Sequence, residues 1–134
     1  MDTIYIETSI PSFYYTLRTD PESIARRNWT HQWWRENSEK STLLTSAAVI
    51  AELRKGTSEK TKDRIALLDA MEILTMTDEV VEIAHIYIDK LVMPNDPQGD
   101  ALHLAIASYY KVDVLLTWNC RHIANANKFN HIKV

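Results

Sequence analysis

Along the chain, short apolar runs alternate with longer stretches whose apolar residues return every three or four positions. The runs at residues 3–6, 42–45, 73–77 and 112–117 read as buried strands. Helical patterns fill the intervals. A short helix is expected at residues 11–17, and a longer one at 21–37, with Asp20 as N-cap and Pro21 in the first position. The next starts near Ser46 and ends at Gly56, a residue suited to a left-handed cap. Residues 59–70 are also expected to be helical. Thr77 can cap a helix whose first turn carries Asp78 and Glu79, and whose residues Val80, Val81, Ala84, Tyr87, Ile88 and Leu91 keep the 3.6-residue period. After the turn MPNDP, Asp96 can cap a helix over 97–110. A short helix at 121–127 and a last strand at 131–134 complete the pattern. This alternation predicts a three-layer α/β/α sandwich with a mainly parallel central sheet, one domain over residues 1–134.

Composition narrows the chemistry. The 134 residues suffice for one core, and 46% hydrophobic with 25% charged residues is an ordinary globular balance. No apolar run approaches the ~20 residues that span a bilayer, and MDTIYIETS carries no secretory pattern, so the expected location is the cytoplasm, away from membranes. Cys120 is the only cysteine, which excludes an internal disulfide and a multi-cysteine zinc site. Two glycines cannot build a GxGxxG fingerprint or a P-loop. The net charge of −3 is unevenly spread: residues 40–64 hold six Lys/Arg against three acids, whereas residues 69–100 hold eight acids against Lys90. Residues 101–134 return to four basic residues against Asp113. Such asymmetry suits acids that gather metal ions beside bases that meet a polyanion, and equally acidic helices that simply face water.

In an open parallel sheet, ligands gather at the carboxyl ends of the strands. The first strand delivers Glu7-Thr8-Ser9 to that edge, and the strand at 112–117 delivers Asn119. Glu52 is the single acid of SAAVIAEL, and Asp100 opens a stretch rich in alanine, leucine and isoleucine. Lone carboxylates on buried faces need partners. Each acid can pair with a base, Glu52 with Arg54 or Lys55 and Asp100 with Lys111 or Arg121. Together, three carboxylates and an amide oxygen form a hard donor set that selects Mg²⁺ or Mn²⁺, ions able to activate water toward a phosphodiester.

The segments YIETS, SAAVIAEL, GDALHLAIAS and LLTWN, in this order and spacing, resemble those of PIN-domain proteins, the fold of the VapC toxin ribonucleases. The resemblance covers nearly the whole chain. It implies a metal-dependent endoribonuclease with Glu7, Glu52, Asp100 and Asn119 as catalytic and metal-holding residues. It also implies an RNA substrate, a small antitoxin protein as partner, and a homodimer. Two positions depart from the family's aspartates: Glu7 keeps the charge but extends it by a methylene, and Asn119 keeps an oxygen but loses a charge. A PIN scaffold weakened in this way, binding RNA or protein without cutting, is the alternative.

Other features are weaker pointers. Trp29 and Trp33 share a helical face expected to pack into the core, and Trp34, partly off that face, is expected in the core as well, with an interface contact as its alternative. Arg18, Arg26 and Arg27 are either solvated or phosphate contacts. Cys120-Arg121-His122 lacks the spacing of a soft metal site, although Arg121 can pair with a site carboxylate or a phosphate. His103, one helical turn after Asp100, is expected to be a hydrogen-bonded structural histidine, and Ser9 and Thr117 to orient the ligands.

Overall fold

A computed structural model describes residues 1–89 and 100–119, Asp100 by its backbone alone. Among these residues four strands, β1 (Thr3–Ile6), β2 (Thr42–Ser46), β3 (Glu72–Leu74) and β4 (Val114–Leu116), form one sheet in the order β3-β2-β1-β4. Every pairing is parallel. Among the described residues six helices accompany them: α1 (Ser9–Tyr14), α2 (Pro21–Asn37), α3 (Ala47–Arg54), α4 (Thr61–Ala66), α5 (Asp78–Asp89) and α6 (Asp100–Tyr109). Successive strand side chains point to opposite faces, yet Ile4, Tyr5 and Ile6 are all buried. Helices therefore cover both faces of the sheet, as the expected α/β/α sandwich requires. In α6 all seven residues from Ala101 to Ala107 are buried, the signature of a helix enclosed on every side.

Three helix starts follow local chemistry. The Asp20 side chain accepts the Ser23 N–H at 3.1 Å, capping α2 as expected, and Thr77 Oγ1 accepts the Val80 N–H at the start of α5. Ser46 caps α3 through the Val49 N–H. The helix expected at 11–17 instead spans Ser9–Tyr14, with Pro11 in the first turn, where its missing N–H leaves no bond unmade. The twelve-residue helix expected at 59–70 contracts to six. After Ala66 the chain tightens into turns, with the N–H groups of Leu68, Asp69 and Met71 reaching back three residues, and this brings Leu68 into the core. β3 stops at Leu74 because its partner Ser46 is the last residue of β2, and β4 stops at Leu116 opposite Ile6.

The left-handed cap is not at Gly56. No glycine among the described residues has positive φ, and the cap falls on Lys111, with φ of 55°. There the Val112 N–H reaches Ala107 O at 3.1 Å and closes α6 before β4. At Gly56 a Cβ would instead make a tight approach, 3.2 Å from the Leu53 carbonyl oxygen. The expected cap at Asp96, Leu91, the helix at 121–127, the strand at 131–134 and the Cys120-Arg121-His122 triplet lie outside the described residues.

Candidate active site at the carboxyl edge of the sheet

From β1 the chain passes to β2 on one side, and β4 later returns to pair on the other side of β1. The switch in direction lies between β1 and β4, and the carboxyl ends of such strands open the crevice where α/β folds bind ligands. Glu7 stands there. It extends the pairing of β1 with β4 through its N–H to Leu116 O, and only 2% of its surface is exposed. Its Oε1 accepts three hydrogen bonds, from the Ser9 N–H at 3.0 Å, the Ser9 hydroxyl and the Thr117 hydroxyl at 2.6 Å. Ser9 Oγ also accepts the Trp118 N–H at 2.8 Å, tying α1 to the end of β4. Ser9 and Thr117 thus orient the carboxylate as expected.

Glu52 reaches the same region from α3. Its Oε1 meets His103 Nε2 in place of either expected base, Arg54 or Lys55. His103 is buried, and its Nδ1 lies 2.7 Å from the Tyr5 hydroxyl, which in turn lies 2.8 Å from Ser46 Oγ. Burial pushes the Tyr5 hydroxyl far above its ordinary range. The Ser46 hydrogen bond opposes this, and the charges of Glu7 and Glu52 raise it further. Both carboxylates therefore act electrostatically on one buried hydroxyl. Tyr5 and Ser46 escaped notice in the sequence. The available signal was a phenol in the middle of a buried three-residue apolar run, which needs a polar partner.

Asn119 is exposed, and its N–H donates to Thr117 Oγ1 at 2.9 Å, one hydrogen bond removed from Glu7. Asp100 supplies the first described residue of α6. Among the described residues no three of His, Cys, Asp and Glu are grouped to hold a metal, a comparison that does not include the Asp100 side chain. The donor chemistry nevertheless suits a hard cation. Every hydrogen bond found on the Glu7 side chain goes to Oε1, and His103 meets Oε1 of Glu52, so each carboxylate keeps its other oxygen clear of these contacts.

Beside this edge one tryptophan departs from the expected pattern. Trp29 is 45% exposed and meets Trp118 edge-on with ring centroids 5.1 Å apart, so it is not a core residue. Trp33 and Trp34 pack partly buried against the core. The buried residues of α2 are Ser23 and Thr30, and Thr30 Oγ1 accepts the Trp118 indole N–H at 3.0 Å. Arg26 lies 5.2 Å above both the Phe13 and Trp118 rings and pairs with Glu22, and Arg18 pairs with Asp20.

The fold has known relatives. A family model described as "PIN domain" matches residues 4–127. Three solved structures share the architecture. VapC20 of Mycobacterium tuberculosis, a sarcin–ricin loop cleaving toxin, is 16% identical with a TM-score of 0.69, covering 90% of this chain and 93% of that one. VapBC2 from Rickettsia felis, bound to a DNA fragment from its promoter, is 16% identical with a TM-score of 0.66 over 93% and 94%. FitAcB from Neisseria gonorrhoeae is 19% identical with a TM-score of 0.58 over 92% and 93%. Curated protein sequences yield no match. With the family model spanning all four strands and the candidate site, the chain belongs to the PIN-domain family.

Proposed function

We propose that the protein is a divalent-metal-dependent endoribonuclease, the toxin of a toxin–antitoxin pair, in which Glu7, Glu52, Asp100 and Asn119 hold Mg²⁺ or Mn²⁺. The observation that carries this reading is the buried Glu7 carboxylate at the switch point of the sheet, gripped through one oxygen by three neutral donors. A carboxylate held this firmly at the sheet's ligand-binding edge is preorganised for a cation. When bound, the ion supplies Lewis acidity for attack of water on a phosphodiester. Ser9 and Thr117 fix Glu7, and Asn119 contributes an amide oxygen without charge.

A toxin that cleaves the sarcin–ricin loop shares the fold, which favours RNA as substrate. The VapBC2 likeness and the family resemblance favour a small antitoxin protein as partner and a homodimer. Across the described residues no helix is long and apolar enough to cross a membrane, consistent with a cytoplasmic site of action. Asn119 favours a second reading, a PIN scaffold that binds RNA or protein without cutting.

Titration of the partner-free protein with Mn²⁺ by calorimetry, together with cleavage of a mixed RNA pool, separates the two. Metal-dependent cleavage that disappears in Asp100→Ala supports the enzyme. Absence of both binding and cleavage at millimolar Mn²⁺ sinks it. Asn119→Asp is expected to tighten Mn²⁺ binding, and unchanged affinity removes Asn119 from the ligand set.

A further inference from the structure

Glu7 takes its orientation from neighbours at the ends of β1 and β4. Glu52 stands on α3 with 29% of its side chain exposed, and a glutamate so placed has several rotamers open to it. It is not left to choose among them. His103 reaches it from α6, the helix enclosed on every side, and the imidazole itself is wedged between Glu52 and Tyr5. The chain Ser46–Tyr5–His103–Glu52 thereby links α3, β1 and α6.

The donors along this chain follow from simple accounting. Tyr5 keeps its hydroxyl proton, and Ser46 Oγ already accepts the Val49 N–H. In a neutral imidazole, the nitrogen facing the carboxylate must carry the hydrogen, because two acceptors would repel. Nδ1 then accepts from Tyr5, and Tyr5 accepts from Ser46. In a doubly protonated ring, Nδ1 donates to Tyr5 and Tyr5 donates to Ser46. Both arrangements place a hydrogen on Nε2, directed at Glu52 Oε1. The grip on the carboxylate is therefore independent of the charge on the ring.

We infer that His103 is a positioning residue, whose Nε2–H holds the Glu52 carboxylate so that its second oxygen is presented to the divalent cation. The inference rests on the proposed nuclease reading, and its tests part the two. Asparagine at position 103 can reach the place of Nδ1 but not of Nε2, whereas glutamine carries a donor to the place of Nε2. Calorimetric Mn²⁺ titration of the full chain is expected to show binding about 10–100-fold weaker in His103→Asn, with most of the affinity regained in His103→Gln. Wild-type affinity in His103→Asn overturns the role. So does an equal loss in both variants, which would mark His103 as packing alone.

Long-range ¹H–¹⁵N spectra of the metal-free wild-type protein read the contact without any core substitution. A protonated Nε2 whose proton signal moves upfield in Glu52→Leu supports it, and an unprotonated Nε2 refutes it. If wild-type protein takes up no Mn²⁺, the nuclease reading falls and the presentation to a cation falls with it, while the ring spectrum still decides whether His103 holds Glu52.

Discussion

Replacing Ser9 by alanine removes one oxygen atom and, with it, the junction between α1, Glu7 and the end of β4. The hydroxyl donates to Glu7 Oε1, accepts the Trp118 N–H at 2.8 Å and lies 3.4 Å from Thr117 Oγ1. Glu7 would keep the Ser9 N–H and the Thr117 hydroxyl, two of its three donors. A hydrogen bond to a charged group contributes about 1.5–3 kcal/mol, and an orphaned buried N–H costs about 1–3 kcal/mol. Ser9 and Trp118 are only half-buried, so water can replace part of what is lost. The expected cost is therefore about 2–4 kcal/mol, a large share of the ~5–15 kcal/mol that holds a domain folded. Urea denaturation measures it as a fall in midpoint with unchanged slope. Ser12→Ala is the internal reference. Its hydroxyl, also half-buried on α1, only donates back to Thr8 O, and its loss should cost about 0.5–1 kcal/mol. If Ser9→Ala costs no more than Ser12→Ala, the hydroxyl does not organise this edge, and the account of how Glu7 is held is wrong.

Further outcomes follow from the same contacts. The Asp113 carboxyl accepts the Thr3 N–H at 2.8 Å and the Thr3 hydroxyl, which hold its pKa below the ordinary range. Its stabilising contribution is present above the unfolded value of about 3.9 and is lost as pH falls through the lower folded value. Asp113→Asn should therefore lack part of the wild-type acid limb in urea midpoints measured against pH, and superimposable limbs would contradict this. Lys111→Gly relieves a left-handed side chain and should raise stability by up to about 1 kcal/mol, read as a higher thermal midpoint. Leu104→Ala, in the enclosed helix α6, should cost about 2–5 kcal/mol in the same melts. Trp29→Ala should lose the roughly 0.5–1.5 kcal/mol of its ring contact with Trp118 together with the burial of its half-covered indole, and a loss beyond the about 3–5 kcal/mol of a core aromatic would contradict its exposure.

What the sequence disclosed depended on how local the cause was. Bounds set by a cap within three residues were legible, as at Asp20 with Ser23 and Thr77 with Val80. Bounds set by a distant partner were not, as where β3 ends because β2 does. Trp33 packs against the core as expected, but Trp29 was misplaced for a related reason. Apolar periodicity cannot show that Thr30 turns inward to meet Trp118, 88 residues later. At the candidate site the pattern marked Glu7, Ser9 and Thr117, which the fold brings into contact, and Glu52, which acts with Glu7 on Tyr5. The partner of Glu52 was misjudged because neighbouring Arg54 and Lys55 look nearer in sequence than His103, 51 residues away.

The pairing of β1 with β4 also governs when the site can exist at all. Glu7 obtains one of its three grips from Thr117, 110 residues downstream. At translation rates of about 5–20 residues per second, roughly 5–20 seconds separate synthesis of the two. During that interval β1 can pair with β2, but the crevice beside it has no second wall. A growing polypeptide on the ribosome thus carries its central carboxylate without the hydroxyl that steadies it. Assembly of this edge is deferred until most of the chain has been made.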